Sequence, residues 1–241
     1  MSKIPKKPDD IFEDFTNDFK NILGNDLIAI ILYGSAARGE YIYKRSDINF
    51  LVVLSEQGIQ NLRSALNIIP KWKKRKVSTP LILTEEYIHS ALDSFPIEFL
   101  TMKHHYQVVF GKDVLSDLEI KNEHMRLQCE RELRSKLIYL RENYLNTKGK
   151  PHIIKQLFNV SISAFTSIFS ALLELKKTEV PSMKQQIFST TAEIFNLNNE
   201  VFDNIFKLQE KKSKLKKEEV NELMEQYIDQ IRKLTNLVDE L

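Results

Sequence analysis

Apolar positions along this 241-residue chain fall into two regimes. Up to about residue 115 they mix helical spacing, short unbroken runs and two-residue alternation; from about Leu118 onward the period is 3.6 throughout. In the first regime Ile11, Phe12, Phe15, Phe19, Ile22 and Leu23 share a helical face, with Asp9 or Asp10 as cap and Gly24 as stop. Leu27 to Tyr33 is a continuous apolar run rich in isoleucine, the pattern of a strand buried on both faces, and Gly34 ends it. A second strand is predicted from about Asp47 to Leu54, where alternation puts Asp47 and Asn49 on one face and Ile48 and Phe50 on the other. Gln57 to Trp72 then reads as a helix through Ile59, Leu62, Leu66 and Ile69, and Val77 to Leu83 as a third strand. Thr84 is placed to cap a helix carrying Tyr87, Ile88 and Leu92, and Pro96 to Leu100 reads as a fourth strand. The segment Tyr106 to Phe110, ending at Gly111, closes this part.

The second regime predicts helices alone. Met125, Leu127, Leu133, Leu137, Leu140 and Tyr144 mark a long one, and Pro151 opens another that is apolar nearly all round from Ile153 to Leu175, as the centre of a bundle requires. Pro181 opens a third, a short helix follows over Val201 to Phe206, and a last one over about Leu215 to Leu241 carries Val220, Leu223, Met224, Tyr227, Ile228, Ile231, Leu234 and Val238 as one stripe. The lysines from 211 to 217 read as its solvated start. The expected fold class is therefore an α+β N-terminal domain, a mixed sheet with flanking helices over 1–115, followed by an all-α helical bundle over 116–241.

Composition narrows the function classes. Thirty-five basic against 33 acidic side chains leave a net charge of +2, so no global field recruits nucleic acid or an anionic membrane. A nucleic-acid role would have to be local. The one candidate is the basic run Lys71 to Lys76 around Trp72, for which a solvated helix end is the simpler reading. Cys129, the single cysteine, forms no internal disulfide and suits a small buried hydrophobe. The start, Met1 to Asp10, lacks the apolar segment of a secretory signal, and the longest clean apolar run is far below the ~20 residues that span a bilayer. A cytoplasmic protein without a membrane partner is expected. Histidines 89, 124 and 152 and the pair His104-His105 show no zinc-like spacing.

Candidate chemistry concentrates in Tyr33-Gly34-Ser35-Ala36-Ala37-Arg38-Gly39 and the following Ser46-Asp47-Ile48-Asn49. A glycine lets backbone approach a ligand, Ser35 adds a hydroxyl, and the amides of a tight turn make an anion site that fits a phosphate. Both polar side chains of Asp47 and Asn49 point at the same place. Glu98, flanked by apolar residues, is a further candidate because a carboxylate there needs a partner cation.

These residues resemble the nucleotidyltransferases of the DNA polymerase beta superfamily, and in particular the small bacterial minimal and aminoglycoside-type members. The family pattern is an apolar strand, Gly-Ser, about a dozen residues, and two acids spaced by one apolar residue. Here Gly34-Ser35, the eleven residues from Ala36 to Ser46, and Asp47-Ile48-Asn49 match it except that the second acid is an asparagine. The resemblance implies a Mg²⁺- or Mn²⁺-dependent transfer of a nucleoside monophosphate from a triphosphate, with ATP the expected donor, to a hydroxyl acceptor, releasing pyrophosphate. It implies two metal ions with nucleotide bound, held by Asp47, Asn49 and Glu98. Asp47 and Glu98 become the catalytic carboxylates, and Gly34, Ser35, Arg38 and Arg45 the phosphate contacts. Asn49 can offer an oxygen to a hard cation but no charge, which opens the alternative of a catalytically silent relative that binds nucleotide or a partner protein. The acceptor, a small molecule or a protein, is not named by these residues, and the oligomeric state stays open, a homodimer included.

Overall fold

A computed structural model of the chain describes residues 4–210 and 216–241, so the first three residues and the lysines among 211–215 lie outside the described residues. The chain divides into two compact units, 1–120 and 121–241.

The first unit is built on a four-stranded mixed sheet of order β3-β2-β1-β4, with β1 Leu27–Tyr33, β2 Asn49–Leu54, β3 Leu81–Thr84 and β4 Tyr106–Gly111. β1 pairs antiparallel with both β2 and β4, and β2 pairs parallel with β3. The central position of β1 explains why it reads as apolar without alternation: both of its faces are covered. On one face Ile30, Leu32, Phe50 and Val52 meet Phe15 and Phe19 of helix α1 (Phe12–Leu23) and Trp72. On the other, Ala29, Ile31, Leu51 and Val53 meet Ile88, Phe99, Met102, Leu115 and Leu118. The helices supplying these contacts are short: α2 Glu56–Gln60, α3 Ile69–Lys73, α4 Glu85–Ser90 and α5 Pro96–His104.

Three expectations are corrected here. The single helix over Gln57 to Trp72 is α2, a 3-10 turn over Leu62–Ala65 and α3; the apolar side chains that suggested continuity, Leu62 and Leu66, are exposed. The third strand is confined to Leu81–Thr84, with Val77 making one isolated parallel bridge to Ile48. Pro96 to Leu100 is not a strand but the start of α5, with Pro96 at its first turn where a missing N–H costs nothing, and the fourth strand is Tyr106–Gly111. Thr84 caps α4 as expected, its hydroxyl accepting from the Tyr87 amide at 3.1 Å.

Helices make up the second unit: α6 Asn122–Asn146, α7 Pro151–Leu175, α8 Lys184–Ile194, α9 Asn199–Gln209 and α10 Lys217–Asp239. Helix α7 is long and apolar enough to cross a membrane by length and composition, but half of that apolar window is buried against its neighbours. Its core is aromatic. Phe169 packs on Phe188 at 4.4 Å between ring centroids, Phe188 on Phe202 at 5.5 Å, and Phe158 on Tyr227 at 5.8 Å, which ties α7 to α8, α9 and α10 through edge and tilted contacts. Tyr227 is fully buried, and its hydroxyl is satisfied by Ser161 Oγ at 2.8 Å. Burial also raises its phenol pKa above the ordinary tyrosine value.

Candidate active site

The turn after β1 forms because its first residue is glycine. Gly34 has φ +77°, and a Cβ there would stand 3.1 Å from the side-chain amide nitrogen of Asn49, so a larger residue would be strained and would push that amide away. The Gly34 carbonyl accepts from the amides of Ala37 and Arg38, both at 3.1 Å, and the Ser35 carbonyl accepts from the Glu40 amide at 2.9 Å. Gly39, φ +75°, ends this helical turn. The amides of Ala37 to Glu40 are thereby engaged inside the turn, which leaves those of Ser35 and Ala36 at its start. The loop back to β2 is tied down by Tyr41, whose hydroxyl donates to the Pro5 carbonyl at 2.8 Å, and by Ser46, whose Oγ accepts from the Ile42 amide at 3.0 Å.

Asn49 pairs directly with Tyr33 across the β1–β2 ladder, and Asp47 lies one alternation earlier. Gly34, Ser35, Asp47 and Asn49 therefore gather at one end of the sheet, as the spacing predicts. The arginines are less committed. Arg38 Nε donates to Glu40 Oε2 at 3.0 Å, and Arg45 is exposed on the loop.

The strand neighbour of Asp47 and Asn49 is the segment Lys76-Val77-Ser78. Ile48 donates its amide to the Lys76 carbonyl at 2.8 Å and accepts from the Ser78 amide at 3.0 Å. Ile48 and Val77 are both buried in the α1 face of the sheet, so alternation turns Asp47, Asn49 and Ser78 toward the opposite face, while Lys76 lies in the turn just before Val77. There Lys76 Nζ stands 3.5 Å from Asp47 Oδ1, with both side chains partly exposed. Sequence reasoning missed Lys76. Its partner is 29 residues away in the chain, and only the bridge between Ile48 and Val77 brings them together.

Glu98 does not take the position expected of it. It is an exposed residue in the first turn of α5, off the sheet, because Pro96 starts a helix where a strand was predicted. Ser78 occupies the adjacent-strand position that a third carboxylate was expected to fill, and Lys76 lies in the turn before it. Among the described residues no group of three His, Cys, Asp or Glu side chains converges as a metal site. The donor set suits one divalent ion carried in on a triphosphate, since Mg²⁺ takes one or two protein ligands and fills its octahedron with phosphate oxygens and water. Among the described residues Asp47 is the carboxylate that this pair of strands turns to the site, so a second ion would be held chiefly by phosphate oxygens and water.

The basic run is not an open strip. Trp72 is buried against Phe15 at 4.9 Å between centroids, and its Nε1 donates to Asp18 Oδ2 at 3.0 Å. Lys71 reaches the same oxygen at 2.6 Å, and Arg75 pairs with Asp14 at 3.0 Å. A cleft of about 470 Å³ lined by Glu56, Ile59, Ile82, Thr84, Glu86 and Tyr87 lies at the far end of the β2–β3 pair from Asp47 and does not include the turn.

Comparison with known proteins agrees with this fold. Residues 13–104 match the family model described as a nucleotidyltransferase domain. Among solved structures, the chain is similar to the spectinomycin adenyltransferase AAD(9) from Enterococcus faecialis, determined with ATP and spectinomycin, at 15% identity and a TM-score of 0.55. That likeness covers 93% of this chain and 99% of the other. No curated protein matches the chain in sequence. The matched span contains the turn, β2 and the Asp47 strand face, so these elements lie in a nucleotidyltransferase domain.

Proposed function

We propose that the chain binds a nucleoside triphosphate, ATP in the first instance, at the Gly34–Asp47 end of the sheet and transfers its nucleoside monophosphate to a hydroxyl acceptor. The acceptor oxygen forms a bond to the α-phosphorus, the bond from that phosphorus to the bridging oxygen breaks, and pyrophosphate leaves. Catalysis of this reaction is mainly a matter of holding the two reactants in line and neutralising charge. In this reading Gly34 and Ser35 hold the outer phosphates, Arg38 and Arg45 add positive charge beside them, and Asp47 with Asn49 faces the magnesium that accompanies the triphosphate. That ion, when bound, offsets the charge of the phosphates. The helical unit is proposed to bind the acceptor or a partner protein, and a small-molecule acceptor is favoured by the solved neighbour determined with spectinomycin.

The observation that carries the reading is the joint placement of a positive-φ glycine, a serine and an aspartate where β1 ends and β2 begins. Titration calorimetry with each of the four common triphosphates, in Mg²⁺ and in Mn²⁺, tests it. Heat with a purine triphosphate that vanishes in Asp47→Ala is expected; no heat with any of them at millimolar concentration contradicts it. The second reading, a silent relative that binds nucleotide without transfer, is favoured by one specific feature: a neutral Asn49 beside an Asp47 already paired with Lys76. Binding without turnover would select it.

A further inference from the structure

The clearest departure of this site from a two-ion design is the ammonium beside Asp47. Lys76 lies in the turn leading into the Val77 bridge, and its Nζ reaches to 3.5 Å from the oxygen of Asp47, whose strand face also carries Asn49 and Ser78. Together these four side chains carry no net charge. The triphosphate's own charge would offset much of what two divalent ions bring, but with a lysine beside Asp47 these side chains supply no net negative charge to hold the second of them. The ion pair itself contributes little to folding, since both partners are largely solvent-exposed and screened. Its consequence is for charge in the site.

We propose that the Lys76 ammonium holds the place of a second divalent ion, so that the site takes a triphosphate with one metal ion in place of two. The proposal rests on the nucleotide-binding reading above, and it adds a residue on a segment to which that reading gives no role. Asn49 completes the change. An aspartate there would restore a second charged oxygen, whereas the amide adds none and instead lies against Gly34 at the mouth of the phosphate turn. One lysine and one amide thus replace the charge that a second ion and a second acid would bring.

The backbone supplies a clean test. Lys76 adopts φ +66° where the chain leaves α3, as Lys148 and Lys177 do after α6 and α7. Glycine takes this conformation freely, so Lys76→Gly removes the ammonium without threatening the fold, and its melting temperature should equal or exceed that of wild type. The measurement is Mn²⁺ binding to the full chain followed by electron paramagnetic resonance. Without nucleotide, Lys76→Gly should tighten Mn²⁺ binding by roughly tenfold, the low end of the effect of altering a group that acts on a metal ligand. Lys74→Ala should change nothing, and adding Asp47→Asn to Lys76→Gly should abolish the gain. With a non-hydrolysable ATP analogue, wild type should hold one Mn²⁺ per chain and the Lys76→Gly, Asn49→Asp double variant two. Unchanged Mn²⁺ affinity in Lys76→Gly, or two ions in wild type, overturns the proposal. Absence of any analogue binding would sink the nucleotide reading while the nucleotide-free titration still decides whether Lys76 excludes an ion from Asp47.

Discussion

At the scale of single residues, the site depends on what glycine permits and on which charges share a strand face. Gly34→Ala places a Cβ at φ +77° and 3.1 Å from the Asn49 amide. It should cost about 1–2 kcal/mol of stability from the left-handed backbone alone and weaken triphosphate binding, because the turn and Asn49 would shift together. Chemical denaturation with a parallel nucleotide titration checks both; an unaltered midpoint would mean that the turn relaxes without strain. Glu98 is the opposite case. Having left the sheet for α5, it should not touch the ion, so Glu98→Gln should keep the metal dependence of triphosphate binding within about twofold, against the roughly 10–100-fold expected for a ligand or its support. A tenfold loss would return Glu98 to the site. The two residues also show what the sequence reveals at this scale. The placement of Gly34, Ser35 and Asp47 at one end of the sheet was legible because it follows from local spacing. Lys76 was not, because its contact with Asp47 depends on a parallel bridge between Ile48 and Val77 that local spacing does not specify.

At the scale of elements, long periodic segments were legible and short ones were not. Ile97 and Phe99 are both buried and alternate with Glu98, so five residues satisfy a strand pattern; only the continuation to Met102 and the helix-starting Pro96 reveal α5. The segment 57–72 fails differently: its apolar residues keep helical spacing, yet Leu62 and Leu66 face solvent and the chain turns twice before α3. By contrast α7 and α10 present many turns of consistent pattern. Phe158 and Phe165 in the apolar run of α7 and Ile231 in the stripe of α10 are all buried. Phe165→Ala should destabilise the helical unit by about 3–5 kcal/mol, since it opens a cavity beside Phe169 and Tyr227. Thermal unfolding followed by circular dichroism reads this directly, and a melting curve identical to wild type would mean that neighbouring rings collapse into the space.

At the scale of the whole molecule, each unit can be tested by itself. In the helical unit the buried Cys129 thiol is pushed up to about 12, first by burial and then by the nearby Glu132. A group whose pKa is raised on folding contributes stability that is complete below its unfolded value and is lost as pH climbs toward the folded one. For Cys129 that window runs from about 9 to about 12. Wild type should therefore lose stability across this window more steeply than Cys129→Ala, although the variant starts lower because it loses packing. Parallel slopes would show that the thiol ionises alike in both states.

In the sheet-bearing unit, the Gly34–Asp47 end of the sheet is proposed to hold a triphosphate for nucleotidyl transfer. The direct measurement is transfer of label from α-labelled ATP, with pyrophosphate release followed in parallel, for wild type and Asp47→Asn against a panel of hydroxyl-bearing aminocyclitols and proteins. Label should appear on an acceptor with equimolar pyrophosphate, and Asp47→Asn should lower that rate by at least ~10²-fold while leaving the melting temperature unchanged. Equal rates in the two proteins, or ATP bound by both with equal affinity and never consumed, would contradict it.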